Sequence, residues 1–202
     1  MKKWIVLVLL VGILSGCGSG GAKETSETKK QTETASTTAA SSSKKATSSS
    51  EKKLKLTDVD FQVEGTAYKM KILDKWEILE DEEFSFSAGN EDEADGVMVY
   101  GIKKTDVNDI EILKNSLRDE YVAVDDFQIK EETIKEEAYQ TSHYTGELHS
   151  FVGVAEGANA ELRFYVLETE TDYVVVNFFG LPSFFDRNEE LVTEMMNSFV
   201  AV

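Results

Sequence analysis

The sequence predicts an α+β domain, an antiparallel β-sheet covered by two helices, over residues 54–202. Three observations carry this. Short segments of alternating polar and apolar residues recur through most of that span. Two longer segments switch to helical spacing. The order is strands, helix, a run of strands, helix, which is the α+β pattern. A span of about 150 residues suits a single domain with a sizeable core.

In order along the chain, Asp58-Val59-Asp60-Phe61-Gln62-Val63 alternates polar and apolar. Glu64-Gly65-Thr66-Ala67 reads as a turn, and Tyr68-Lys69-Met70-Lys71-Ile72 alternates again, predicting a hairpin. Trp76 follows at the strand exit as a lid on the core. Phe84-Ser85-Phe86-Ser87 is a short alternating strand. Residues 90–95 form an acidic loop closing at Gly96, and residues 97–102 are apolar enough for a central strand buried on both faces. Asp109 can cap the first helix, whose Ile110, Leu113, Leu117 and Tyr121 recur at helical spacing. Phe127-Gln128-Ile129 starts another strand, and residues 131–137 are a charged segment of no assigned form. Residues 139–154 read as one long strand. The turns Gly157-Ala158-Asn159 and Glu170-Thr171-Asp172 lead from it to strands over 160–169 and 173–180, a three-strand meander. Leu181-Pro182-Ser183 ends the meander. Ser183 with Asp186 has the form of a capping box, and Phe184, Leu191, Val192, Met195 and Phe199 stripe the last helix.

The N-terminus is of a different kind. Met1-Lys2-Lys3 is positive, and residues 4–14 are apolar. A spanning helix needs about 20 apolar residues, whereas the core of an export signal needs roughly 7 to 15. Leu14-Ser15-Gly16-Cys17 follows, and Cys17 is the only cysteine in the chain. This segment resembles a bacterial lipoprotein signal peptide. The resemblance implies cleavage between Gly16 and Cys17 and a diacylglyceryl group on the Cys17 thiol. The domains are then residues 1–16 as signal, 17–53 as tether and 54–202 as the folded part. The expected location is the extracytoplasmic face of the cell membrane, in a Gram-positive bacterium. Two acyl chains, at about 0.8 kcal/mol per buried CH2, give stable attachment where one chain does not. With that cysteine lipidated, no disulfide is expected.

Residues 18–53 contain no Val, Ile, Leu, Phe, Tyr or Trp, and Ser and Thr supply 16 of the 36. Such a segment cannot repay its ordering entropy, so a disordered tether is expected, spanning roughly 30–35 Å as a flexible coil. The charges divide unevenly. The whole chain carries a formal −17, but residues 54–202 hold 12 Lys and Arg against 34 Asp and Glu, a net of −22. That field repels phosphate backbones, so nucleic acid is excluded as a partner. The expected partners are the membrane, through the anchor, and another surface protein or cations.

A second resemblance concerns the folded part. The strand over 68–73 running into Trp76, the helix after the 97–102 strand and the last helix ending Asn197-Ser198-Phe199 resemble the PsbP/Mog family. That resemblance implies an α/β/α sandwich and a binding or assembly module without catalytic residues. The family commonly has a proline just before the Trp, where this chain has Leu73 and Asp74.

Chemical motifs are sparse. The two histidines, His143 and His149, both fall in the predicted long strand at even spacing. They would point to one face about 20 Å apart, too far to share a metal. Neither sits near a Gly-rich turn, and no Gly-x-Ser-x-Gly elbow or phosphate-cradling loop is present. Glu91, Glu93 and Asp95 before Gly96 imitate the start of a calcium loop, but the twelfth position is Ile102, where such a loop needs Glu. A solvated acidic loop is the expectation there. Residues 174–185 are the most apolar run after the signal, expected as a core strand entering the last helix rather than an aromatic binding patch. No cofactor, metal or catalytic residue is expected. The function expected is a membrane-anchored, extracytoplasmic, non-catalytic binding or assembly module. The alternatives are an enzyme of unassigned reaction type and a small-ligand or cation carrier with a pocket inside one domain.

Overall fold

A computed structural model describes residues 54–90, 95–107, 110–122, 127–155 and 157–202. Gly16, Cys17, the signal, the tether, Glu91, Glu93 and Asp109 lie outside the described residues, as does the side chain of Tyr121.

The first hairpin forms as expected from β1 (Leu56–Val63) and β2 (Thr66–Leu73). Its turn is only Glu64-Gly65, with φ of 52° and 85°. Positive φ at both positions gives a tight turn whose twist matches that of the strands. β3 (Glu77–Ile78), β4 (Phe86–Asn90) and β5 (Asp95–Lys103) follow. Here two expectations are corrected. The strand expected over residues 84–87 begins at Phe86, because Phe86 pairs with Val99 while residues 82–85 bend. Asn90 and Asp95 are the paired last and first residues of β4 and β5, not part of a solvated loop. Asp95 is buried because Trp76 Nε1 donates to its Oδ2 at 2.6 Å and Lys75 Nζ lies 3.7 Å from its Oδ1. Trp76 does close the core, tilted against Phe178 and Phe184.

α1 (Ile110–Val122) is followed by β6 (Phe127–Ile129) and a single 3-10 turn (Glu131–Thr133). The long strand expected over 139–154 is two strands, β7 (Lys135–Gln140) and β8 (Thr145–Ala155), paired as a hairpin. The break is made by side-chain chemistry. Thr141 Oγ1 accepts the backbone N–H groups of His143 and Tyr144 at 3.1 and 2.8 Å, and Thr141 N donates to Tyr144 O at 2.8 Å. The meander therefore has four strands, continuing through β9 (Ala158–Glu168) and β10 (Asp172–Gly180). Ala158 and Asn159 belong to β9 and Asp172 to β10, so both connecting turns are displaced from the residues expected.

α2 (Pro182–Ser198) starts one residue before the expected box. Leu181 is the N-cap and Pro182, the only proline, occupies N1, so Ser183 lies inside the helix and the Ser183–Asp186 capping box does not form. Proline's fixed φ suits that first position without a side-chain cap. Asn188 leaves helical geometry, at φ −123° and ψ 19°, and its Nδ2 donates to Phe184 O at 2.8 Å. A short β11 (Val200–Ala201), not expected from the pattern, pairs with β2.

The larger sheet runs β3-β4-β5-β10-β9-β8-β6, with β7 also on β8, and the smaller runs β1-β2-β11. Alternation along β9 and β10 sends side chains to opposite faces. Tyr165, Leu167, Val174, Val176 and Phe178 pack with α2 and the smaller sheet. Phe164, Val166 and Val175 pack on the other face with Leu117 of α1. The two helices thus cover opposite faces of an antiparallel sheet, as the expected sandwich requires. The terminal Asn197-Ser198-Phe199 locks α2 in place. Asn197 Oδ1 accepts Ser142 N and Oγ at 3.0 and 3.2 Å, Ser198 Oγ accepts Lys71 N at 2.7 Å, and Phe199 stacks on Tyr68 at 4.9 Å.

Candidate functional site

The pairing of β7 with β8 builds a site that no single stretch of sequence contains. Glu136 of β7 lies directly opposite His149 of β8. Glu147, two residues before His149, points to the same face by strand alternation. That face is the one α1 covers, and α1 brings Lys114 and Glu111 to it. Between α1 and the sheet a cleft of about 320 Å³ remains, floored by Leu117, Ile129, Phe151 and Phe164.

Glu111, Lys114, Glu136, Glu147 and His149 are bound to one another, and the exposed Lys135 also lines the cleft. Lys114 Nζ bridges Glu147 at 2.6 Å and Glu111 at 2.7 Å. His149 Nε2 lies 3.2 Å from Glu147 Oε2, and its Nδ1 lies 3.8 Å from Glu136 Oε1. Burial acts to lower the Lys114 ammonium, but hydrogen bonds to Glu111 and Glu147 outweigh it and hold the group above its ordinary value. The hydrogen bond from Lys114 is the main cause that holds Glu147 below the ordinary carboxylate range. Both stay ionised at neutral pH. The result is a cleft with apolar side chains at its floor and a fixed polar rim that makes up the larger part of its lining.

The residues singled out in the sequence are placed as follows. His143 is exposed in the turn at residues 141–144, so the two histidines do not share a strand face. His149 is half-buried in the cleft wall, engaged with two carboxylates, and is not a plain surface residue. Within residues 174–185, Val174, Val176, Phe178, Phe184 and Phe185 are buried in the core, while Leu181 at the entry to α2 is exposed. Asp95 is held by Trp76 inside the fold. Among the described residues no group of three or more His, Cys, Asp or Glu is arranged to hold a metal ion. Sequence reasoning missed Lys114, Glu136 and Glu147. The available signal was the charged spacing Glu147-x-His149 facing Glu136, which becomes visible only once the break at residues 141–144 is placed.

No protein-family model matches the chain, and no curated protein sequence matches it. Several solved structures are similar in fold. LpqN, involved in cell envelope biogenesis of Mycobacterium tuberculosis, has a TM-score of 0.47 at 11% identity, covering 73% of this chain and 91% of LpqN. A protein of unknown function from Pseudomonas aeruginosa has a TM-score of 0.41 at 12% identity over 71% of this chain and 96% of its own. Cyanobacterial PsbP from Synechocystis has a TM-score of 0.44 at 10% identity, over 67% and 86% of the two chains. At these levels they carry no residue roles to this chain. Among the described residues no helix is long and apolar enough to cross a membrane.

Proposed function

We propose that the protein is a lipid-anchored, extracytoplasmic binding module without catalysis of its own, and that the cleft between α1 and the sheet is where it binds. The cleft is the observation that carries the binding reading. It offers an apolar floor of four side chains and a rim whose charges are held in place by mutual ion pairs. Preorganised polar groups around an apolar floor favour recognition, because little side-chain freedom is lost when a ligand enters. The same feature favours a small-ligand carrier over a scaffold that acts by its outer surface alone. The anchoring half of the proposal is supported by the order of positive, apolar and small residues before Cys17.

The test of the anchor is Cys17→Ala. The variant is expected to incorporate no labelled fatty acid while the fold of residues 54–202 stays intact. Fatty acid label in the variant equal to the natural protein contradicts the assignment of Cys17.

A further inference from the structure

We infer that the cleft takes a small amphipathic cation, an apolar body bearing an ammonium or guanidinium group. This rests on the cleft being the binding site, and it follows from the depth at which each charge sits. The side chains of Glu111 and Glu136 are 60% exposed and that of Glu147 is 41% exposed, whereas Lys114 is 10% exposed and His149 17%. The three carboxylates therefore stand at the outer rim, with Lys135 the one exposed basic residue of the lining, and Lys114 and His149 lie beneath them. Lys114 is further committed, at 2.7 and 2.6 Å, to Glu111 and Glu147. At the mouth a ligand meets the carboxylates of Glu111, Glu136 and Glu147 against one exposed cation, Lys135, so the rim is acidic by three groups to one.

An anionic ligand would have to displace one of the two carboxylates from Lys114 to find a partner. It would also approach against the net −22 of residues 54–202. A neutral apolar ligand would use the floor of Leu117, Ile129, Phe151 and Phe164 but leave the rim idle. An amphipathic cation uses both. The volume of about 320 Å³ is near the lower end of ligand sites. It has room for one aromatic or short aliphatic amine, or for one Lys or Arg side chain presented by another protein. The shared chemistry is the cation on an apolar stem.

Calorimetric titration of the purified full-length protein at low ionic strength tests this. The probes are phenethylamine, phenethyl alcohol and 3-phenylpropionate, which share a ring and differ in charge, together with a Gly-Lys-Gly peptide blocked at both ends. The amine is expected to bind saturably and about fivefold more tightly than the alcohol, with the carboxylate weakest, as one partly exposed charge pair allows. Glu136→Gln, a change at an exposed rim residue, is expected to weaken the amine about two- to threefold and leave the alcohol unchanged. Tighter binding of the blocked peptide than of phenethylamine assigns the natural source to a protein side chain, and the reverse assigns it to a free amine. Equal binding of amine, alcohol and carboxylate, or amine binding untouched by Glu136→Gln, overturns the cation while leaving the cleft as a binding site. Absence of saturable binding by all four probes overturns both.

Discussion

Replacing Asp172 by Ala is expected to destabilise the domain by about 3 kcal/mol, a large share of the roughly 5–15 kcal/mol typical of a folded domain. Asp172 is fully buried at the start of β10. Its Oδ2 accepts Thr66 Oγ1 at 2.9 Å, Thr171 Oγ1 at 2.8 Å and Tyr68 OH at 3.2 Å. Thr66 and Tyr68 belong to β2 of the smaller sheet, so this one oxygen joins the two sheets. Removing it takes a charged acceptor from three hydroxyls, of which Tyr68 OH keeps Thr169 Oγ1 at 3.1 Å, and hydrogen bonds to a charged group are worth about 1.5–3 kcal/mol each. Asp172→Asn is expected to fall between. It keeps an acceptor for the hydroxyls but sets an amide N–H where Oδ1 has no partner. Chemical denaturation gives the ranking, and a natural unfolding free energy in Asp172→Ala contradicts it. The same cluster sets an alkaline limit. Burial pushes the Tyr68 phenol up to about 12. A raised folded value favours the protonated phenol, so its contribution is complete below the ordinary value near 10 and is lost as pH rises towards 12. Tyr68→Phe should flatten that loss.

Gly146→Ala is the second large effect. A Cβ at Gly146 would run into Val166 O and lie 2.9 Å from Val166 C, both backbone atoms of the neighbouring strand β9. Backbone held between two ladders cannot move aside as a side-chain tip can, so about 3 kcal/mol or more is expected. Gly157→Ala is the control. Its φ of +83° strains any other residue, but nothing lies within 4 Å of the added atom. The cost there is about 1–2 kcal/mol, the left-handed penalty alone. Equal melting temperatures for the two variants would show that the Gly146↔Leu167 register is wrong.

These two sites show where the sequence was legible and where it was not. β9, β10 and α2 announce themselves because burial imposes a period: Val174, Val176 and Phe178 must face one way and Val175 the other. The turn at residues 141–144 has no Gly or Pro. It is made by one threonine hydroxyl accepting two backbone N–H groups, and its only trace in the sequence is the polar run Gln140-Thr141-Ser142-His143, across which the apolar phase shifts from Tyr139 to Tyr144. Missing that break hid the pairing of Glu136 with His149, and so hid the cleft. Asp95 and Asp172 are misread for a related reason. An acidic residue suggests solvent, and only a partner distant in sequence, Trp76 for one and Tyr68 for the other, makes its burial tolerable. Lys114 was indistinguishable from any polar residue on a helix, because its role depends on Glu147, 33 positions away.

The two histidines supply the most direct measurement of the binding claim, since one lies in the cleft and the other does not. The imidazole resonances of His149 and His143 can be followed by NMR at fixed pH while phenethylamine is added to the full-length protein. His149 sits 3.2 Å from Glu147 in the cleft wall, and His143 is exposed in the turn before β8. A saturating shift of His149 with His143 unmoved is the result expected of a ligand seated between α1 and the sheet. Equal, unsaturating drift of both resonances, or movement of His143 alone, would contradict the cleft as the binding site.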